Sequence, residues 1–307
     1  MDTVKIYHKP PLPFNGNKSK WIAGLIELAE KGLLKFPDGT IILDLFGGSG
    51  VLSQCFAKLF PKCKIIYNDF DHYTELLTSS STKKINDLKW ALRNALKGKG
   101  YKKNDKLSDG DAIKVRTIIK KFYPPLIGDP KAKRSKEMRE YISPKMEKIK
   151  NIICSQVCFS GRNNLEGDLY YKITNDYPVV PDYLPKNVTI VHEDYKTLYK
   201  KYEKHNNIFI VLDPPYLSTM KAFYSNYWGI NETINILDIC VNKPSILFES
   251  DKSEILGLVM LMGKYIKFDY IMSENKKLFN KSHNTEYAIW FNYKKYLNEK
   301  GLNMDKK

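Results

Sequence analysis

Ile41-Ile42-Leu43-Asp44-Leu45-Phe46-Gly47-Gly48-Ser49-Gly50 joins a short apolar run to a glycine-rich turn, and the next residues, Val51 to Phe60, carry apolar side chains at helical spacing. A buried strand, a tight turn and a helix follow from that order. Upstream, Trp21, Ile22, Leu25, Ile26, Leu28, Ala29 and Leu33 recur at helical spacing; downstream, Cys63 to Tyr67 forms a second β-rich run that stops at Asn68 and Asp69. The set predicts a βαβ unit with a right-handed crossover. Glycines in such a turn adopt positive φ and let the backbone come close to a ligand. A dinucleotide fingerprint would place a third glycine at position 53, where Ser53 stands instead. Asp69 follows Gly50 by 19 residues, at a strand end, where a carboxylate can accept from two ribose hydroxyls. The pair points to a nucleoside ligand without requiring a pyrophosphate.

Outward from this unit the pattern changes. From about Leu76 to Pro185 it reads as basic helices, Asp111 to Tyr123 and Lys136 to Cys154, broken by Gly98, Gly100, Pro124, Pro125, Pro130 and Pro144 and followed by a polar, aromatic stretch. Alternation then resumes with a strand at Val188 to Val191, a helix at Lys196 to Lys204, and a strand at Ile208 to Leu212. A helix near Asn231 to Cys240 and strands at Ser245 to Phe248 and Glu286 to Asn292 complete the chain. One α/β domain interrupted by an inserted basic module is the simplest account.

The 307 residues carry 50 Lys and Arg against 34 Asp and Glu, a formal net charge of +16. Residues 76 to 150 alone hold 21 basic and 8 acidic side chains, so most of that excess lies in about a quarter of the chain. A polyanion partner and a lysine-rich solvated surface both fit this block, since lysine or arginine on phosphate releases condensed counterions. Ile41 to Phe60, the best candidate for a membrane span, contains Asp44 and several glycines. The N-terminus shows Asp2, Lys5, Lys9 and prolines in place of an apolar secretory signal, and the five cysteines are irregularly spaced. A cytoplasmic, metal-free protein without disulfides is expected.

Asp213-Pro214-Pro215-Tyr216 closes the apolar strand Ile208 to Leu212. The two prolines remove two backbone donors and fix two φ angles, holding the carboxylate, the carbonyls and the phenol ring rigidly at a strand's C-terminal edge. That edge is where open α/β sheets bind ligands. The chemistry suited to it is orientation of a flat base bearing an amino group: the Asp213 carboxylate and the Pro214 carbonyl each accept an N–H, and Tyr216 stacks on the ring.

Phe46-x-Gly48-x-Gly50 followed much later by Asp213-Pro-Pro-Tyr216 resembles the Dam-like (D12 class) S-adenosylmethionine-dependent DNA N6-adenine methyltransferases. Phe14-Asn15-Gly16-Asn17-Lys18 is similar to that family's Trp-x-Gly-Gly-Lys segment, with Phe in place of Trp and Asn17 in place of the second Gly. Glu193-Asp194-Tyr195 resembles the segment that touches the cofactor's adenine, and Phe223-Tyr224-Ser225-Asn226, Glu249-Ser250-Asp251 and Glu286-Tyr287 match later, less specific segments.

The resemblance implies a Rossmann-like methyltransferase sheet formed by residues 1–75 and 186–307, with residues 76–185 as an inserted, mainly helical basic target-recognition domain. S-adenosylmethionine would be held by Phe14, Asn15, Gly16, Lys18, Asp44, Phe46, Gly48, Gly50, Asp69, Asp194 and Tyr195, with Lys18 on the methionine carboxylate. Asp213, Pro214, Pro215 and Tyr216 would carry direct methyl transfer to an adenine flipped out of double-stranded DNA, with Tyr224 and Arg162 as further DNA contacts. A monomer accompanied by a cognate restriction endonuclease is implied as well. An RNA adenine or DNA cytosine-N4 amino-methyltransferase, or a DNA-binding relative without catalysis, stay open beside this reading. The five histidines are scattered, and Cys154 and Cys158 share a helical face that suits core packing.

Overall fold

A computed structural model describes residues 6–12, 14, 16, 18–124, 144–158, 164–172, 183–215, 229–251, 253–265, 269–279 and 282–302. In chain order the first elements are α1 (Ile22–Glu30), β1 (Ile41–Asp44), α2 (Val51–Leu59) and β2 (Lys64–Asn68). After a helical stretch come β3 (Val188–Val191), α6 (Tyr195–Tyr202), β4 (Ile208–Leu212), α7 (Ile230–Asn242), β5 (Ser245–Ser250), α8 (Glu254–Tyr265), β6 (Tyr270–Phe279), β7 (Ser282–Phe291) and α9 (Tyr293–Glu299). The seven strands form one sheet in the order β3-β2-β1-β4-β5-β7-β6. Five strands run parallel, and β7 pairs antiparallel with β5 and β6. This is the Rossmann-like methyltransferase sheet that the resemblance implies.

Apolar strands make this sheet because it is buried on both faces. All five residues of β4 are buried, as expected of a parallel strand covered by helices. Successive side chains point to opposite faces. Ile42, Ile65, Phe209, Val211, Ile246 and Phe248 pack with Ile22, Leu25, Leu52 and Phe56 of α1 and α2. Leu43, Ile66, Ile210, Leu212 and Leu247 pack with Leu198, Ile236, Leu237 and Val259 of α6, α7 and α8.

Two compact units emerge from this chain. The first comprises Met1–Pro10, Gly16–Asp71 and Leu184–Lys307; the second comprises Pro11–Asn15 and His72–Tyr183, inserted between β2 and β3. Within the second unit a 3₁₀ turn at Tyr73–Leu77 precedes α3 (Ser79–Leu96), α4 (Asp109–Phe122) and α5 (Pro144–Val157). Thr78 and Ser108 cap α3 and α4 by accepting from the backbone N–H of Ser81 and Asp111, each at 3.3 Å. Leu88, Leu92, Val115, Ile119, Ile149 and Ile153 are buried, while Lys83, Lys97, Lys102, Lys103, Lys114 and Lys120 are exposed. Arg116 donates to the carbonyls of Leu165 (2.9 Å) and Gly167 (2.7 Å), so this cation braces a loop. Cys154 and Cys158 are buried.

Several elements depart from expectation. The helix expected at Lys136 to Cys154 runs from Pro144 to Val157 among the described residues. The final strand, expected from Glu286, begins at Ser282 because β6 pairs with it over ten positions. No alternating pattern announced β6, whose Ser273, Glu274, Asn275, Lys276 and Lys277 suit an edge strand.

Candidate active site

The strand order reverses at β1. From β1 the chain moves outward through β2 to β3, then returns to lay β4 on the other side of β1. Such a reversal opens a crevice at the carboxyl ends of the two flanking strands. Asp44 ends β1, Asp69 follows β2, Asp213 follows β4, and Glu249 lies near the end of β5. Four carboxyl groups that are far apart in sequence thus share one sheet edge.

The glycine turn leaves β1 with left-handed backbone at Gly48 (φ 50°) and Gly50 (φ 70°), and Gly50 is the N-cap of α2. Gly47 is needed for a different reason. A Cβ there would lie 2.1 Å from the Tyr67 ring, whose hydroxyl donates to the Gly48 carbonyl at 2.8 Å. The ring of β2 therefore lies on the turn, and part of the glycine requirement comes from packing and not from a ligand. Asn68 fastens the same edge by donating to the carbonyls of Leu45 (3.1 Å) and Glu193 (2.8 Å) and accepting from the Glu193 N–H (3.0 Å). Its one amide joins the ends of β1, β2 and β3.

Asp44 is buried and accepts from the Ser53 hydroxyl at 2.6 Å through Oδ2, while its Oδ1 has no hydrogen-bond partner. Ser53, where a dinucleotide fingerprint would have glycine, is thus the residue that holds Asp44. Burial pushes the Asp44 carboxyl up to about 7, against the Ser53 hydrogen bond and with help from the charge of Asp213.

Asp213 leaves β4 and meets Lys18, whose Nζ lies 2.6 Å from Oδ1. The Lys18 side chain is 6% exposed and that of Asp213 is 18% exposed. Lys18 also donates to the Gly16 carbonyl at 3.0 Å. Burial raises the Asp213 carboxyl, the Lys18 ammonium opposes that shift, and the charge of Glu286 adds to it. Pro214 is buried and Pro215 is partly buried. The lysine that the resemblance assigns to the methionine carboxylate thus also contacts Asp213.

Glu249 is completely buried; neither carboxyl oxygen makes a well-formed hydrogen bond, and its polar neighbours, the Ser253 side chain and the Ser250 backbone, are neutral. Burial pushes it up to about 8; Ser253 and Lys18 oppose the shift and Asp213 reinforces it. Nothing local in Glu249-Ser250-Asp251 marks Glu249 as an interior residue; the packing around β5 buries it. At the rim, Lys20 bonds Glu286 at 2.6 Å.

The remaining expected residues are dispersed around this edge. Phe46 tilts against Tyr195, with ring centroids 5.0 Å apart. Asp194 accepts from the backbone N–H of Lys196 (3.0 Å) and Thr197 (3.3 Å), so one of its oxygens caps α6. Asp69 is fully buried; its N–H donates to Val191, and its carbonyl lies 2.7 Å from His192 Nδ1. Phe14 belongs to the second unit, edge-on to Tyr73 at 5.6 Å. Asn15, Tyr216, Tyr224 and Arg162 lie outside the described residues.

No protein-family profile matches the chain. The chain is similar to a Haemophilus influenzae protein named "Putative methyltransferase", 28% identical over 291 residues that span 90% of this chain and 88% of the relative. Among solved structures it aligns with the precorrin-6y C5,15-methyltransferase of Geobacter metallireducens GS-15, at 12% identity and a TM-score of 0.33 over 95% of each chain. So low a TM-score leaves the fold to rest on the strand order itself. The near full-length likeness to the Haemophilus protein supports methyltransferase activity.

Proposed function

We propose that the chain is an S-adenosylmethionine-dependent DNA adenine methyltransferase that modifies the N6 amino group of a flipped-out adenine. The observation that carries this reading is the seating of Asp213-Pro214-Pro215 at the carboxyl end of β4, beside the glycine turn of β1, with Asp213 Oδ1 held by Lys18. A carboxylate fixed through one oxygen offers the other to an incoming amine.

The residues present fit the methyl donor. Gly48 and Gly50 give the turn a backbone that brings main-chain groups close to a ligand, and the unpartnered Asp44 Oδ1 can accept from an N–H-bearing or cationic group. When bound, S-adenosylmethionine supplies an electrophilic sulfonium methyl. The chain's own part is orientation. Adenine's exocyclic nitrogen is a weak nucleophile because its lone pair is conjugated with the ring. Hydrogen bonds to Asp213 and the Pro214 carbonyl favour a pyramidal nitrogen and aim it, which is where a positioned acceptor contributes most. Asp213 acts as an acceptor, and the methylated ammonium gives up its surplus proton to solvent. Tyr216 supplies the stacking face in this reading, with Tyr224 beside it, and Arg162 with the lysines of residues 76–185 contacts DNA.

Purified protein should transfer label from methyl-labelled S-adenosylmethionine to duplex DNA, and nucleoside analysis should place the label on N6-methyladenine. Label on N4-methylcytosine, or transfer only to RNA, would assign the site to a different amine. No transfer to any nucleic acid would overturn the proposal.

A further inference from the structure

The crevice edge gathers three carboxyl groups on the adjacent strands β1, β4 and β5, and two of them, Asp213 and Glu249, feel the charge of one buried lysine. Lys18 touches Asp213 directly. Asp44 and Glu249 each feel the charge of Asp213, and Glu249 also feels Lys18. If all three carboxyls were ionised, two negative charges would remain uncompensated in the interior, which burial does not tolerate. Protons must therefore stay on the members with the poorest partners. Asp213 has the ammonium and Asp44 has the Ser53 hydroxyl at 2.6 Å. Glu249 makes no well-formed hydrogen bond at either oxygen and has only neutral polar neighbours, the Ser253 side chain and the Ser250 backbone.

We propose that Glu249 is a positioning residue that carries a proton at neutral pH, and that by staying uncharged it leaves Lys18 committed to Asp213 so that the acceptor keeps its place. This rests on the methyl-transfer reading of Asp213. Burial and the charge of Asp213 outweigh the groups that favour an ionised Glu249, which are Ser253, Lys18 and the Ser250 backbone. Asp213 after β4 repels a charge on Glu249, Cys240 of α7 offers no cation, and Ser253 before α8 opposes the shift only in part. Glu286 of β7 adds negative charge at Asp213, and its own cation, Lys20, is spent at the rim. Lys18 is thus the cation that an ionised Glu249 would compete for. On losing its proton, Glu249 would draw Lys18 from Asp213 Oδ1 or make Asp213 take up a proton, and either change removes the fixed acceptor.

The test compares wild type with Glu249→Gln, a neutral near-isostere. In protein with labelled lysine, with the Lys18 ammonium signal assigned by Lys18→Arg, that signal should shift with a midpoint near pH 8 in wild type and stay flat in Glu249→Gln. In single-turnover transfer, the rate should fall about tenfold between pH 7 and 9 in wild type, and the ratio should stay within about twofold in Glu249→Gln. A Lys18 signal that titrates identically in both proteins, or an alkaline fall in rate that survives the substitution, overturns the proposal. If the Lys18 signal behaves as expected while wild type transfers no methyl group, the charge assignment stands and the functional reading falls.

Discussion

The crevice edge and the helical insert use the same residue types for opposite ends. At the edge, Lys18, Asp44, Asp213 and Glu249 are few and mostly buried, and the partners of the first three are fixed within the fold. In the insert, lysines are many and exposed, and the pairs they make, such as Lys83 with Asp87, lie at the surface. A buried charge pair is sensitive to geometry and pH, whereas exposed charge acts as a field that salt screens. The proposed function assigns chemistry to the first arrangement and attraction of a polyanion to the second.

The largest expected effect separates the two regions directly. Asp213→Ala should lower single-turnover methyl transfer by about a hundredfold or more while calorimetry shows S-adenosylmethionine affinity nearly unchanged, and Asp213→Asn should keep residual activity through its remaining acceptor oxygen. Wild-type rates in Asp213→Ala would break the comparison at its centre.

Stability against pH comes next. Asp44 and Glu249 are both raised in the folded chain, to about 7 and about 8, so the folded state holds protons that the unfolded chain has released. Their contribution is complete below the unfolded values and is lost as pH rises through the folded ones. Denaturant midpoints should therefore fall between about pH 4 and 8, each group contributing roughly 1.4 kcal/mol per pH unit, and Glu249→Gln should remove one group's share. A midpoint that is flat across this window would show these carboxyls to be solvated.

Glycine substitutions sharpen the contrast in packing. Gly47→Ala should cost about 1–3 kcal/mol of unfolding free energy, since its Cβ would lie 2.1 Å from the Tyr67 ring. In the insert Gly98→Ala should cost about 1–2 kcal/mol from its φ of 75° alone, because nothing lies within 4 Å. Equal losses traced to a common cause would mean that Tyr67 yields easily.

The smallest effect per residue concerns the insert. Each exposed lysine that meets phosphate should reduce the log-log salt slope of DNA affinity by about 0.9, so the double substitution of Lys102 and Lys103 by Gln should flatten it by up to about 1.8 with the melting temperature unmoved. An unchanged slope would assign these two lysines to plain solvation.

Glycines after an apolar run, and Asp-Pro-Pro after another, make the ends of β1 and β4 legible, because strand, turn and helix signals are local. By the same token Asp194 and Asp69 could be placed at strand or helix ends, but the work of their atoms could not. Asp194 proves to cap α6, a role that any aspartate ahead of a helix can take. The β6–β7 hairpin and helices α8 and α9 were not foreseen, since β6 carries polar residues at an edge where burial leaves little pattern.

By itself the sequence determined the α/β alternation, the basic insertion between β2 and β3, and the two strand-end motifs, all of which follow from periodicity, charge and backbone restriction over a few residues. The tertiary structure decided the rest. Placing β4 between β1 and β5 brought Asp44, Asp213 and Glu249 to one edge, seated Lys18 on Asp213, and laid Tyr67 across Gly47. Burial and proton affinity depend on which distant residues surround a group, and strand order, which no short stretch encodes, sets those neighbours.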